Sequence, residues 1–184
     1  MKHFLALDLA TKTGWAASDG KVITSGVQSF TFDARYEGGG MRFLRFNHWL
    51  DKMASLMNIE RIAFEEVRQR AASVAAGHVY GGFLAHLTSW CEAHKVPYEG
   101  IPVGTIKKHA AGAGNAGKDA IIKAMRAKGH SPKDDNEADA LALLYYLLDH
   151  ATPSNTSVGS PPDRVAQRRV QVGAVPVARR RVSA

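Results

Sequence analysis

Three acidic residues stand where folding alone favours apolar side chains. Asp8 closes the apolar segment Phe4-Leu5-Ala6-Leu7. Glu65 follows Ile62-Ala63-Phe64, and Asp139 lies inside the apolar run of residues 137–148. Carboxylates are rarely buried unless paired or bound to metal, because stripping water from a lone charge is costly. Gathered together the three would repel one another, and a hard divalent cation such as Mg²⁺, which accepts carboxylate and water oxygens, relieves that repulsion. Asp135 adds to the pattern. It lies one helical turn before Asp139, so two like charges share a helix face at a cost of roughly 0.2–0.5 kcal/mol. Each acid taken singly also has a purely structural explanation. Asp8 can bond the backbone of its own turn, Glu65 and Glu66 can alternate in and out of a strand with Arg68 as partner, and Asp134 and Asp135 suit the dipole of a helix start. Taken together, the four acids favour a metal site.

Lys118 carries a different signal. It falls in the first turn of a helix, where the dipole disfavours a cation, and it follows the glycine-rich segment Ala111-Gly112-Ala113-Gly114-Asn115-Ala116-Gly117. Free N–H groups at a helix start bind phosphate, so lysine, loop and helix start together suit a phosphodiester. The spacing is not that of a nucleotide-binding P-loop, and an exposed lysine in solvent is the plainer alternative.

The elements that must position these residues follow from periodicity and turn chemistry. His3–Leu9 reads as a buried strand ending in a turn over Thr11–Gly14. Trp15–Ala17 and Val22–Phe32 read as two strands joined through Asp19-Gly20, a hairpin dipeptide. Phe43, Phe46, Leu50, Met53 and Met57 mark a helix over Met41–Met57. Arg61–Val67 is a fourth strand, Ala71–Lys95 a long helix, Pro97–Ile101 a fifth strand, and Thr105–His109 a brief helix. Asn115 is placed as the N-cap of a helix running to Lys128 and stopped by Gly129. Ser131-Pro132 is placed as the start of a last helix to His150, with Asp134 in its capping box. The order implies an α/β fold with a mixed five-stranded sheet flanked by helices.

The chain has 184 residues, net charge +7 and pI near 9.7, which suits an anionic partner. Most of that charge lies in the tail: residues 151–184 carry six arginines against Asp163, leaving +2 for residues 1–150. The division expected is a globular domain over 1–150 and a flexible basic tail over 151–184, suited either to solubility or to electrostatic capture of nucleic acid. One cysteine, Cys91, excludes an internal disulfide, and no stretch approaches the roughly 20 apolar residues that span a bilayer. No secretion signal is visible, so a reducing cytoplasm is the expected location. The histidines have no metal-ligand spacing. The stripe Val79, Phe83, Leu87 suits core or a subunit interface.

Four segments in this order, residues 5–16, 62–67, 112–121 and 136–144, resemble the RuvC-type Holliday junction resolvases over nearly all of residues 1–150. The resemblance implies an RNase H-like fold and a metal-dependent crossover junction endodeoxyribonuclease. It implies Mg²⁺, with Mn²⁺ substituting, held by Asp8, Glu65 and Asp139, and a catalytic lysine at Lys118. Asp135 is nominated as the fourth metal residue and catalytic acid, because the position where the family carries Asp is Asn136 here. The partner implied is branched DNA, above all four-way junctions, cut by a homodimer paired through the 71–95 helix. Arg68, where the bacterial enzyme has an aromatic, and the short turn after Asp8 look more like phage-encoded relatives. Two other readings stand beside this one: an RNase H-like nuclease acting on RNA-containing substrates, and a branched-DNA-binding protein without catalysis. A sugar-kinase or actin-like ATPase needs a second domain for which the chain is too short.

Overall fold

The computed structural model describes residues 3–67 and 73–150. The basic extension over 151–184 and Arg68 lie outside the described residues. Five strands, β1 (His3–Asp8), β2 (Lys12–Asp19), β3 (Ile23–Ser29), β4 (Arg61–Glu66) and β5 (Tyr98–Pro102), form one mixed sheet in the order β3-β2-β1-β4-β5. The first three strands are antiparallel neighbours, while β4 runs parallel to both β1 and β5. Among the described residues five helices accompany them: α1 (Met41–Leu56), α2 (Val74–His94), α3 (Val103–Ala111), α4 (Lys118–Ala127) and α5 (Asp135–His150).

Side chains alternate across a strand, and the two faces of this sheet carry different cores. Leu5, Leu7, Ile62 and Phe64 face α1 and α2, where Phe30, Phe46, Phe83 and Leu87 are buried. Phe30, Phe46 and Phe83 meet at centroid distances of 5.2–5.7 Å, two of the three pairs edge to face. Of the stripe Val79, Phe83, Leu87, the last two are thus core, and Val79 packs half-buried beside them. The opposite face presents Phe4, Ala6, Ala16 and Ala63 to α3, α4 and α5. There α5 lies across β1 and β2 with Ala138, Leu141, Ala142 and Leu144 fully covered. Alanines on both partners keep the helix close to the strands. Gly14 of β2 is the tightest point: a Cβ there would overlap the backbone carbonyl of Asn136 in α5.

Several boundaries differ from the sequence expectation, each for a local reason. Thr11–Gly14 is not a turn, because β2 begins at Lys12. The buried Thr13 hydroxyl donates to the Ala10 carbonyl at 2.7 Å and accepts the Ala10 N–H at 3.4 Å, closing a shorter turn from within the strand. The third strand stops at Ser29, where Phe30 turns into the aromatic core while its N–H donates to the Thr11 carbonyl at 2.8 Å. The described part of α2 begins at Val74, with the Ser73 hydroxyl accepting the Ala76 N–H, and ends before Lys95, which adopts a left-handed φ of 56°. The brief third helix extends to Val103–Ala111, closed by Gly112 at φ 81°. Gly117, not Asn115, precedes α4. The last helix begins at Asp135, not at Ser131-Pro132. Asp134 caps it by accepting the Glu137 N–H at 3.0 Å, and Pro132 is buried ahead of the cap.

Close approach at Gly14 generates a stability test. Gly14→Ala should lower the unfolding free energy by about 2 kcal/mol or more in urea denaturation. Gly38→Ala, where an added Cβ meets nothing within 4 Å, should leave it nearly unchanged. Equal stability of the two variants would show that α5 does not need the glycine.

Candidate active site

Strand alternation decides where the acids point. Asp8 continues the series Phe4, Ala6, and Glu65 follows Ala63, so both carboxylates project from the face that α5 covers. They sit at neighbouring carboxyl ends of two parallel strands, just past Leu7↔Phe64, the last pair of the β1–β4 ladder. The helix then brings Asp139 to the same place from its second turn, over the close contact at Gly14. The three nominated acids therefore come together.

Their electrostatics record the crowding. Burial, then the charges of Glu65, Asp139 and Asp135, push Asp8 up to about 8. Burial and the Asp139 carboxylate push Glu65 up to about 7, against the opposing pull of Lys107. Asp139 is raised chiefly by burial, again moderated by Lys107. No hydrogen bond from another described side chain or backbone group satisfies any of the three carboxylates. Among the described residues, no three His, Cys, Asp or Glu side chains already close into a metal shell. The site offers three carboxylates whose crowding Lys107 and Lys118 offset only in part, a set that suits a hard divalent cation.

Asp135 and Lys118 are placed differently. The Lys118 ammonium, at the first residue of α4, is ion-paired to the Asp135 carboxylate at the first residue of α5. The pair lowers Asp135 below the usual carboxylate range and raises Lys118. Lys118 remains largely exposed, at the rim of the acid cluster. The ion pair also accounts for a lysine at a helix start, since Asp135 offsets the unfavourable dipole.

Two residues of the site region were not singled out from sequence. Lys107, on α3, is the cation whose charge reaches both Glu65 and Asp139. Its only sequence signal was a lysine pair on a short helix, which resembles any solvated face. Glu137 is the second acid of the α5 apolar run, and it is 4% exposed. One of its carboxylate oxygens accepts the Ser25 hydroxyl at 2.7 Å and the other the Lys133 N–H at 2.9 Å. Glu137 is therefore a satisfied structural acid, tying α5 to β3. A cleft of about 760 Å³, lined by none of the three acids, is walled by Leu9, Val67, Val79 and Tyr80, with Thr11, Lys12 and Asn136 as its polar residues. Cys91 is buried on the far core, its thiol pushed up to about 12 by burial.

No protein-family profile and no curated protein sequence matches the chain. Solved structures do. A structure described as Thermus thermophilus RuvC in complex with Holliday junction substrate matches with a TM-score of 0.68 at 19% identity, covering 84% of this chain and 100% of that one. A second T. thermophilus RuvC structure gives 0.63 at 21% identity, covering 82% and 99%. The yeast mitochondrial Holliday junction resolvase Ydc2 gives 0.55 at 11% identity, covering 77% and 75%. The chain therefore has the RNase H-like fold of the RuvC resolvases, a mixed five-stranded sheet flanked by helices.

The raised carboxylates set the sign of a pH effect. Asp8 and Glu65 bind protons more tightly in the folded state than at their ordinary values of 3.8 and 4.5. Their protonation therefore stabilises the fold at low pH, and that stability is lost as pH rises through about 7 and about 8. In EDTA the melting temperature should fall between pH 5 and pH 8.5, and Asp8→Asn should flatten the fall. A wild-type curve that rises across this window would contradict the electrostatic description of the site.

Proposed function

We propose that this protein is a divalent-metal-dependent endonuclease that hydrolyses phosphodiester bonds in branched DNA, with four-way Holliday junctions as its principal substrate. The observation that carries the reading is the convergence of Asp8, Glu65 and Asp139 on one sheet face with no compensating hydrogen bond. The RuvC-like fold supports the choice of substrate: the T. thermophilus neighbour is described in complex with a Holliday junction.

In this reading Asp8, Glu65 and Asp139 hold Mg²⁺, or Mn²⁺ in its place, and Asp135 joins them by sharing its bond to Lys118. A pair of divalent ions supplies an activated water and charge stabilisation at the leaving 3′ oxygen. The chain's own residues do the rest. Lys118 and the free N–H groups at the start of α4 receive the scissile phosphate. Lys107 limits repulsion between the Glu65 and Asp139 carboxylates. A homodimer paired through the 71–95 segment presents two such sites to two symmetry-related strands. The basic residues of 151–184 add attraction to the phosphate backbone that is independent of sequence.

The test is cleavage of a mobile four-way junction beside matched duplex, flap and RNA–DNA hybrid, each in Mg²⁺, Mn²⁺ and EDTA. Paired, metal-dependent nicks in the junction are expected. Asp8→Asn should reduce the rate by more than the roughly 100-fold that marks loss of an outer-shell partner, and Lys118→Ala by about 100-fold. Preference for the hybrid would make the protein a nuclease of RNA-containing substrates. Tight junction binding without cutting would make it a branched-DNA binder. Full activity in Asp8→Asn would overturn the assignment of the site.

A further inference from the structure

Tyr80, on α2, reaches out of its helix to the end of β4, and its hydroxyl is fully engaged there. It donates to the Glu65 carbonyl at 3.0 Å and accepts the Val67 N–H at 3.3 Å. One of these two bonds is made to Glu65 itself, which supplies one of the three convergent carboxylates, and the other to the residue two places on. We infer that Tyr80 is a positioning residue: its hydroxyl fixes the backbone of Glu65, and with it the placing of the Glu65 carboxylate in the cation site.

The need for such a device follows from the sheet. The ladder between β1 and β4 ends at Leu7↔Phe64, one residue short of Asp8 and Glu65. The Ile62 N–H donates to the Pro97 carbonyl beside β5, so the odd-numbered residues of β4, Glu65 among them, direct their backbone groups to the β1 side, where the Glu65 carbonyl lies past the last pair of the ladder. Residues two apart in a strand direct their backbone groups to the same side, so Glu65 and Val67 would each want a partner from a strand that has run out. A phenolic hydroxyl carries one donor and acceptor lone pairs. It supplies to the Glu65 carbonyl and the Val67 N–H the pair of bonds that a continuing neighbour strand would have made. The ring meanwhile forms part of the cleft wall beside Leu9, Val67 and Val79. Phenylalanine keeps that wall and removes only the two bonds, so the hydroxyl can be tested apart from the packing.

This inference rests on the metal-site reading above, and its experiment separates the two. Tyr80→Phe and wild type are compared by Mn²⁺ titration calorimetry, by amide hydrogen exchange at Val67, and by junction-cleavage kinetics. The Val67 amide should be protected in wild type and lose protection in the variant. The apparent Mn²⁺ affinity should fall about 10-fold, within the range for removing an outer-shell partner. In the kinetics kcat should fall by a similar factor at fixed, subsaturating metal, with KM for the junction unchanged and kcat largely restored at high Mn²⁺. Unaltered Mn²⁺ affinity in Tyr80→Phe, despite lost protection at Val67, would overturn the inference. So would a Val67 amide that exchanges freely in wild type. Should wild type bind Mn²⁺ yet cut no substrate, the nuclease reading falls while weaker Mn²⁺ binding in Tyr80→Phe would still uphold the role of Tyr80.

Discussion

The structure is organised around carboxylates held near one another at the rim of a core. Water screens like charges, and a partly buried cluster of acids loses that screening. Keeping Asp8, Glu65 and Asp139 together therefore needs a scaffold that cannot relax by pulling one of them away. The scaffold is the contact between α5 and the sheet. Ala6, Ala16 and Ala63 on the strands meet Ala138 and Ala142 on the helix, and Gly14 admits the backbone of Asn136. Bulkier residues along this seam would lift the helix and dissipate the repulsion. The small side chains are thus as much a part of the site as the acids.

That division of labour shows in the two cores. The face toward α1 and α2 is filled by large aromatic and branched side chains, with Phe30, Phe46 and Phe83 in mutual contact. The face toward α5 is also filled, with Phe4, Ile106, Ile121, Met125 and Leu141 among its buried residues, but alanines predominate where the strands meet the helix. An aromatic side chain buries far more apolar area than alanine does. Cations around the rim set the remaining balance. Lys107 acts on the pair Glu65 and Asp139, whereas Lys118 is joined to Asp135 at the start of two helices.

Much of this was legible in the residues. Strand alternation and apolar runs located β1, β4 and α5, and an acid interrupting each run marked Asp8, Glu65 and Asp139. The four spaced motifs also led to the fold. What stayed hidden depended on contacts distant in sequence. Lys107 looks like any helical lysine until α3 is seen to direct it toward Glu65 and Asp139. Thr13 looked like part of a turn because threonine is common there. Its hydroxyl bonds Ala10 from inside β2, and that closes the turn earlier. Asn115 is a good N-cap by type, but the helix begins after Gly117.

Glu137 and Asp139 make the sharpest comparison, since composition cannot tell them apart. Both are acids inside the same apolar stretch of one helix, Glu137 buried and Asp139 half-buried. Two residues of helix rotate them by about 200° relative to one another, which sends one toward β3 and the other toward the ends of β1 and β4. Glu137 finds the Ser25 hydroxyl and the Lys133 N–H, so its charge is satisfied within the fold. Asp139 finds Asp8 and Glu65 instead. Burial of an acid therefore does not by itself mark a functional residue. The mark is a half-buried carboxylate without a hydrogen-bond partner among the described residues, next to other acids in the same condition. Within α5, Glu137 is thus tied into the fold while Asp139 joins the acid cluster, and the distinction rests on which face of the helix each residue occupies.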